Sequence, residues 1–261
     1  MSRYIFLILL LFLIPFNYSN AAENEILITI SSGMDKIIFD GKWSFFSEWK
    51  DSSLESIGNN LVIIRAAHQG DFVYVFLDSL VDETYDKNSD KAMICFDTKN
   101  NKSIKPDVDD YCFVAVMGKL NGHILQGGSN FATKGNLEKI TVPFENKMIG
   151  GISDLNDRYS KSPHMSYEFK IPTDLIGRSN EYGFYVQVFD SNTNQFQTWP
   201  SGIKTEFLKT PSPQNWGSLI SIDNSLPEFP TPVVIILILF SLIILFTRKN
   251  FNPLVKKTIN N

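Results

Sequence analysis

The chain has 261 residues, is 43% hydrophobic and 20% charged, and carries a formal net charge of −4. Its length allows one or two domains, and its composition excludes a disordered tail and a polytopic membrane protein. A nucleic-acid partner would need a basic face, and no long basic run exists. Three histidines and two cysteines, with no C-x-x-C pair, exclude zinc fingers and multi-haem attachment.

The first 22 residues predict a secretory signal peptide. Arg3 gives the positive start, and Ile5–Pro15 is an apolar run too short to span a bilayer comfortably. Tyr18-Ser19-Asn20-Ala21-Ala22 ends on small residues suited to cleavage. An uncleaved N-terminal anchor is the alternative.

Residues 23–226 predict one exported all-β domain. Setting aside the five basic residues of the two ends and Glu228 leaves 19 basic and 27 acidic residues, a net charge near −8. Such a surface suits divalent cations and repels anionic polymers. Period-two runs rich in Val, Ile, Phe and Tyr predict strands at Leu61–Ala67, Phe72–Leu77, Lys91–Asp97, Tyr111–Met117, His123–Gln126, Glu138–Val142, Met165–Ile171 and Gly183–Asp190. Ile26–Ile30, Lys36–Phe39 and Gly217–Ile222 are weaker strand patterns, and Gln69-Gly70-Asp71 reads as a hairpin turn. Only Ser53–Gly58 and Thr173–Ile176 suit short helical turns. About ten short strands without repeat or linker predict a two-sheet antiparallel β-sandwich of jelly-roll or immunoglobulin-like type.

Val233–Phe246 is apolar apart from Ser241 and is followed by Arg248, Lys249, Lys256 and Lys257. This predicts one transmembrane helix over residues 233–247, with residues 248–261 as a basic cytoplasmic tail and the domain before it outside the cell. The Pro-rich segment 227–232 precedes it. Pro227-Glu228-Phe229 ahead of a span and Arg248-Lys249 resembles the PEF-type C-terminal sorting signal of archaeal surface proteins. That resemblance implies an archaeal source and processing by an archaeosortase-type membrane protease. The tail here is longer than the pattern, so a retained anchor and a cleaved one both fit.

Inside the domain, a series of short motifs occurs in order. Asp40-Gly41-Lys42-Trp43 is followed by Trp49, and Ile64–Val75 carries a hairpin around Gly70-Asp71. Met93–Asn101 contains Phe96-Asp97-Thr98-Lys99-Asn100-Asn101, and Asp109-Asp110-Tyr111 follows. Tyr167–Pro172 leads to Gly183–Asp190, and Trp199-Pro200 and Asn215-Trp216-Gly217 close the set. This order resembles family-nine carbohydrate-binding modules and the related DOMON-like sandwiches. The resemblance covers nearly the whole domain and implies the sandwich fold. It leaves the ligand open, because members bind sugars, haem or nothing known.

Cys95 and Cys112 lie on strands expected to pair antiparallel. They suit either a disulfide, permitted outside the cell, or two buried thiols. If they face each other, the same register sets Asp97 opposite Asp110. Two carboxylates then meet near Asn100, Asp107 and Asp109, and oxygen donors of this kind suit Ca²⁺. The family resemblance also implies a structural Ca²⁺; a solvated acidic loop is the alternative. Asn101-Lys102-Ser103 is a glycosylation sequon on the same loop, at Asn101.

In the resembled sugar modules two tryptophans clamp the terminal sugar. Trp199 and Trp216, in Pro- and Gly-flanked loops, with Tyr185, are the candidate ligand-binding residues here. Trp43 and Trp49 suit closure of the sandwich end. No nucleophile–base motif accompanies His68, His123 or His164, so the chain is not expected to be an enzyme. Haem ligation by His164-Met165 is disfavoured, because adjacent strand residues face opposite sides. The expected function is a membrane-anchored extracellular binding module for a glycan, with a structural Ca²⁺. The alternatives are a structural cell-envelope protein that contacts envelope polymer or protein, and a haem-binding electron-transfer domain.

Overall fold

The computed structural model describes residues 24–59, 61–129, 137–203, 205 and 209–223. The signal peptide, the Pro227-Glu228-Phe229 signal, the membrane helix over 233–247 and the basic tail lie outside them. Among the described residues no helix is long and apolar enough to cross a membrane.

Among the described residues, thirteen strands run in chain order: β1 (Glu25–Ile28), β2 (Ser53–Ile57), β3 (Val62–Gln69), β4 (Phe72–Ser79), β5 (Lys91–Asp97), β6 (Asp110–Val116), β7 (His123–Gln126), β8 (Glu138–Ile140), β9 (Lys147–Ser153), β10 (His164–Pro172), β11 (Glu181–Asp190), β12 (Gln195–Trp199) and β13 (Gly217–Ser221). One four-residue helix, α1 (Thr173–Ile176), follows β10. An eight-stranded sheet has the order β1-β13-β11-β5-β6-β7-β8, with β12 also paired to β11. The other, five-stranded, has the order β2-β3-β4-β10-β9. All pairs are antiparallel except β1 with β13. The expected two-sheet β-sandwich is therefore present, with one parallel edge pair.

Between the sheets lies the main core, which includes Ile64, Val75, Phe96, Phe113, Tyr167, Phe169, Phe184 and Trp199. Both sheets are also covered on their outer faces, so β3, β4, β5, β6 and β10 are buried almost residue by residue. Residues 31–52 pass over the five-stranded sheet and place Met34, Ile37, Trp43 and Trp49 against Ala67, Tyr74 and Phe76. Trp43 and Trp49 thus cover a sheet face rather than close the sandwich end. Over the eight-stranded sheet, Trp216 and Leu137 cover Met93, Cys95, Cys112, Val114 and Tyr185.

The first cover crosses β9 at a glycine contact. A Cβ on Gly41 would lie 2.5 Å from backbone atoms of Gly150 and Gly151, and Gly41 has φ +86°. Bulk is therefore excluded on both sides of the crossing. Glu168 of β10 fixes the same cover: its carboxylate accepts from Gly41 N at 2.7 Å and from Trp49 Nε1 at 3.2 Å.

Two expected elements differ. Ser53–Gly58 is not a helical turn; residues 53–57 form edge strand β2, because pairing with β3 overrides local preference. Lys36–Phe39 is not a strand: it lies in the cover, where Ile38 N donates to Glu48 Oε1 and no neighbouring strand pairs with it. The hairpin at Gly70-Asp71 and the helical turn at Thr173–Ile176 are present.

Candidate functional site

Strands β5 and β6 pair with Cys95 opposite Cys112 and Asp97 opposite Asp110. The cysteines form a disulfide, their Cα atoms 4.0 Å apart. Beyond it, the acidic loop is bonded largely to its own backbone and amines. Asp97 accepts from Asn101 N at 3.1 Å and Lys102 N at 2.8 Å. Asp110 Oδ2 accepts from Asp107 N at 2.7 Å. The Asn101 amide reaches Asp107 and Asp109, both at 3.3 Å, and Lys99 Nζ lies 3.2 Å from Asp109. Asn100 Nδ2 donates away from the loop, to Glu181 at 2.6 Å. Backbone N–H groups and ammonium groups thus occupy most positions assigned to a Ca²⁺ at Asp97, Asn100, Asp107, Asp109 and Asp110. Two oxygens, Asn100 Oδ1 and Asp110 Oδ1, are buried without a partner. Burial, reinforced by Asp97, Asp107 and Asp109, pushes the Asp110 carboxyl up to about 7. The sequon residue Asn101 is exposed at this loop.

The three aromatic residues expected to stack on a ligand are all buried: Tyr185 is 0% exposed, Trp199 and Trp216 4% each. An open aromatic shelf on these rings is therefore corrected. Trp199 belongs to the main core, packs on Phe184 at 6.0 Å and abuts the backbone of Gly217. Trp216 stacks on Tyr185 with centroids 6.1 Å apart, and its indole N–H donates to Pro211 O. His164 and Met165 face opposite sides of β10, since Met165 enters the main core and His164 faces outward to Asp78.

The loops around Trp216 form a cleft of about 690 Å³ beside it. Trp216 and Pro200 give it apolar wall, and Ser201, Ser212, Gln214 and Asn215 supply hydroxyl and amide groups. A short 3-10 turn, Pro213–Asn215, places the last of these at the rim. Lys102 ties the acidic loop to the cleft's base by donating to Trp216 O at 3.0 Å and Gly217 O at 2.8 Å. Burial holds that ammonium below its ordinary value.

Among the described residues, His, Cys, Asp and Glu ligand atoms converge in threes, within 4.8 Å of one another, at two places. Neither is the loop at Asp97 and Asp110. One joins Asp82, after β4, Asp90, before β5, and Asp190, ending β11. Asp90 accepts from Ser191 N and Oγ and from Asp86 N. Asp190 accepts from Asn192 N, Thr193 N and Thr193 Oγ1. Asp82 Oδ2 is buried with no partner, and so is the Tyr167 hydroxyl, whose ionisation burial and these three carboxylates oppose. Burial first, then Asp90 and Asp190, push Asp82 up to about 7. An all-oxygen set with an orphaned buried carboxylate oxygen fits Ca²⁺. Sequence reasoning passed over this triad. The signal was the acidic run between β4 and β5, but Asp190 joins it only through the fold. The other place joins Asp78, Asp157 and His164.

No family model matches the chain, and no curated protein matches it. Among solved structures, the chain is similar to a family 9 carbohydrate-binding module from Caldicellulosiruptor kristjanssonii in complex with cellotriose, with a TM-score of 0.47 and 14% identity, over 79% of this chain and 100% of that one. A family 9 carbohydrate-binding module from the same organism in complex with glucose gives a TM-score of 0.46 and 14% identity, over 80% of this chain and 100% of that one.

Proposed function

We propose that the chain is an exported saccharide-binding module, held at the cell surface by its C-terminal span and braced by one structural Ca²⁺. The observation that carries the reading is the cleft beside Trp216. A sugar presents hydroxyl groups around a weakly apolar C–H face. The cleft offers hydroxyl and amide side chains beside a proline and the largely buried Trp216 indole. The ordered motifs that resemble family-nine modules support the same reading. Asp82, Asp90 and Asp190 would hold the Ca²⁺. Its charge would offset two of the three carboxylate charges and tie the ends of β4, β5 and β11 together. The anchor, the signal peptide and archaeosortase-type processing rest on the sequence at the two ends.

The test is a glycan screen on the full chain in detergent, followed by titration of each hit. Saturable binding that falls at least tenfold in Gln214→Ala and Asn215→Ala supports the cleft. A folded protein that binds no saccharide overturns the reading. The burial of Trp43, Trp49, Trp199 and Trp216 favours a second reading, a structural cell-envelope protein whose contacts are polymer or protein surfaces. That reading predicts retention of the folded chain on isolated envelope with no response to free saccharides.

A further inference from the structure

The second triad lies on the outer face of the five-stranded sheet. Asp78 of β4 and His164 of β10 both point away from the main core, and the segment between β9 and β10 brings Asp157 over them. All three side chains are 0% exposed. His164 Nε2 lies 2.7 Å from Asp78 Oδ1 and 4.0 Å from Asp157 Oδ2.

The hydrogen bonds around the triad leave its inward atoms bare. His164 Nδ1 is 2.7 Å from Ser162 O. A carbonyl can only accept, so Nδ1 carries the proton and Nε2 faces the carboxylates. Asp157 Oδ1 is used by Tyr159 N at 2.6 Å and Ser160 N at 3.1 Å. The remaining oxygens, Asp78 Oδ2 and Asp157 Oδ2, are buried and accept from no N–H or hydroxyl donor among the described residues.

Without an ion, the triad is neutral only with a doubly protonated imidazole and one further proton shared between the two carboxyl groups, which lie within hydrogen-bonding reach of each other. Buried carboxylates lacking that proton are costly. A divalent cation with a neutral imidazole balances the charge and uses both oxygens and Nε2. The Nδ1–H···O=C bond is the outer-shell contact that fixes a ligating histidine's tautomer. One imidazole with two carboxylates suits zinc-class ions better than Ca²⁺, which favours oxygen alone.

We propose that Asp78, Asp157 and His164 form a binding site for one divalent transition-metal ion of the zinc class, which pins segment 154–163 onto the five-stranded sheet. The ion is enclosed as that segment closes, so uptake is coupled to folding. The pinned segment carries Tyr159, whose ring meets Trp43 at 5.8 Å and whose hydroxyl pairs with Arg65, so the ion also steadies the cover over β3 and β4. This site is separate from the Ca²⁺ triad and does not depend on saccharide binding.

The test uses the untagged full chain, unfolded with chelator and refolded against Co²⁺ as a spectroscopic probe. The expected result is one equivalent of Co²⁺ with the d–d absorption of an imidazole-ligated ion, displaced by Zn²⁺ and insensitive to Ca²⁺. Asp82→Asn retains the signal. Asp157→Asn weakens binding by more than the roughly tenfold to hundredfold that loss of an outer-shell partner costs. Should Asp157→Asn fail to fold, the His68→Gln/His123→Gln variant decides. Of the chain's three histidines it keeps His164 alone, and it should give the full signal. Absence of the Co²⁺ absorption in that folded variant, or unchanged binding in Asp157→Asn, overturns the proposal.

Discussion

Asp110 gives the fold a pH dependence with a definite sign. Its carboxyl is raised from an ordinary 3.8 to about 7, chiefly by burial. The folded state therefore holds a proton that the unfolded chain releases, and stability falls as pH rises between those values. Asp110→Asn removes the titrating group while keeping an oxygen for Asp107 N. Its melting temperature should exceed wild type at pH 7, with the gap closing by pH 4; a gap independent of pH would contradict this origin. The facing of Asp97 and Asp110 was legible in the sequence, because the Cys95–Cys112 register dictates it. What satisfies those carboxylates was not, since Asn101 N and Lys102 N reach Asp97 only through the loop's own path. The burial of Trp216 was equally hidden. Its stacking partner, Tyr185, lies on a strand 31 residues earlier in the chain, and nothing local marks a ring in a Pro- and Gly-flanked loop as covered.

At the scale of elements, strand patterns were readable wherever Val, Ile, Phe and Tyr ran together, as in β3, β4, β5 and β11. The three strands passed over were β2, β9 and β12. In β9, Gly150 and Gly151 dilute the apolar signal. They are required there because residues 40–41 cross at backbone contact, a constraint set more than a hundred residues away. Gly41→Ala should destabilise the fold by more than the about 1–2 kcal/mol of a left-handed backbone alone, because the new methyl also meets Gly150. Glu168→Gln should cost about 1–3 kcal/mol: both its partners are N–H donors, and an amide nitrogen facing either leaves a buried donor unmatched. Denaturant unfolding followed by tryptophan fluorescence reads both, since Trp43 and Trp49 sit in this cover. A Glu168→Gln protein as stable as wild type would remove the carboxylate as the cover's anchor. Breaking the Cys95–Cys112 bridge should cost about 3 kcal/mol for a loop of this length, measured as the midpoint shift between the native protein and Cys95→Ala/Cys112→Ala.

For the whole molecule, covers on both outer faces explain why the chain needs more than 200 residues for one sandwich. The cleft beside Trp216 lies at one of these covers rather than in the core. The proposed Ca²⁺ triad, Asp82, Asp90 and Asp190, joins the ends of β4, β5 and β11, which belong to both sheets, so ion binding there should act on global stability. At a hundredfold excess over its Kd, Ca²⁺ should add about 2.7 kcal/mol, roughly 5–10 °C in melting temperature for a domain of this size. Asp82→Asn should abolish that difference between Ca²⁺ and chelator, and a shift that survives it would place the ion elsewhere. Saccharide binding in the cleft beside Trp216 is read by the indole N–H resonances of Trp43, Trp49, Trp199 and Trp216 in the ¹⁵N-labelled full chain during titration with a saccharide hit from the screen. A saturable shift at Trp216 is expected, abolished in Gln214→Ala, with Trp43 and Trp49 unmoved. Shifts confined to Trp43 or Trp49, or no shift with any saccharide, would contradict it.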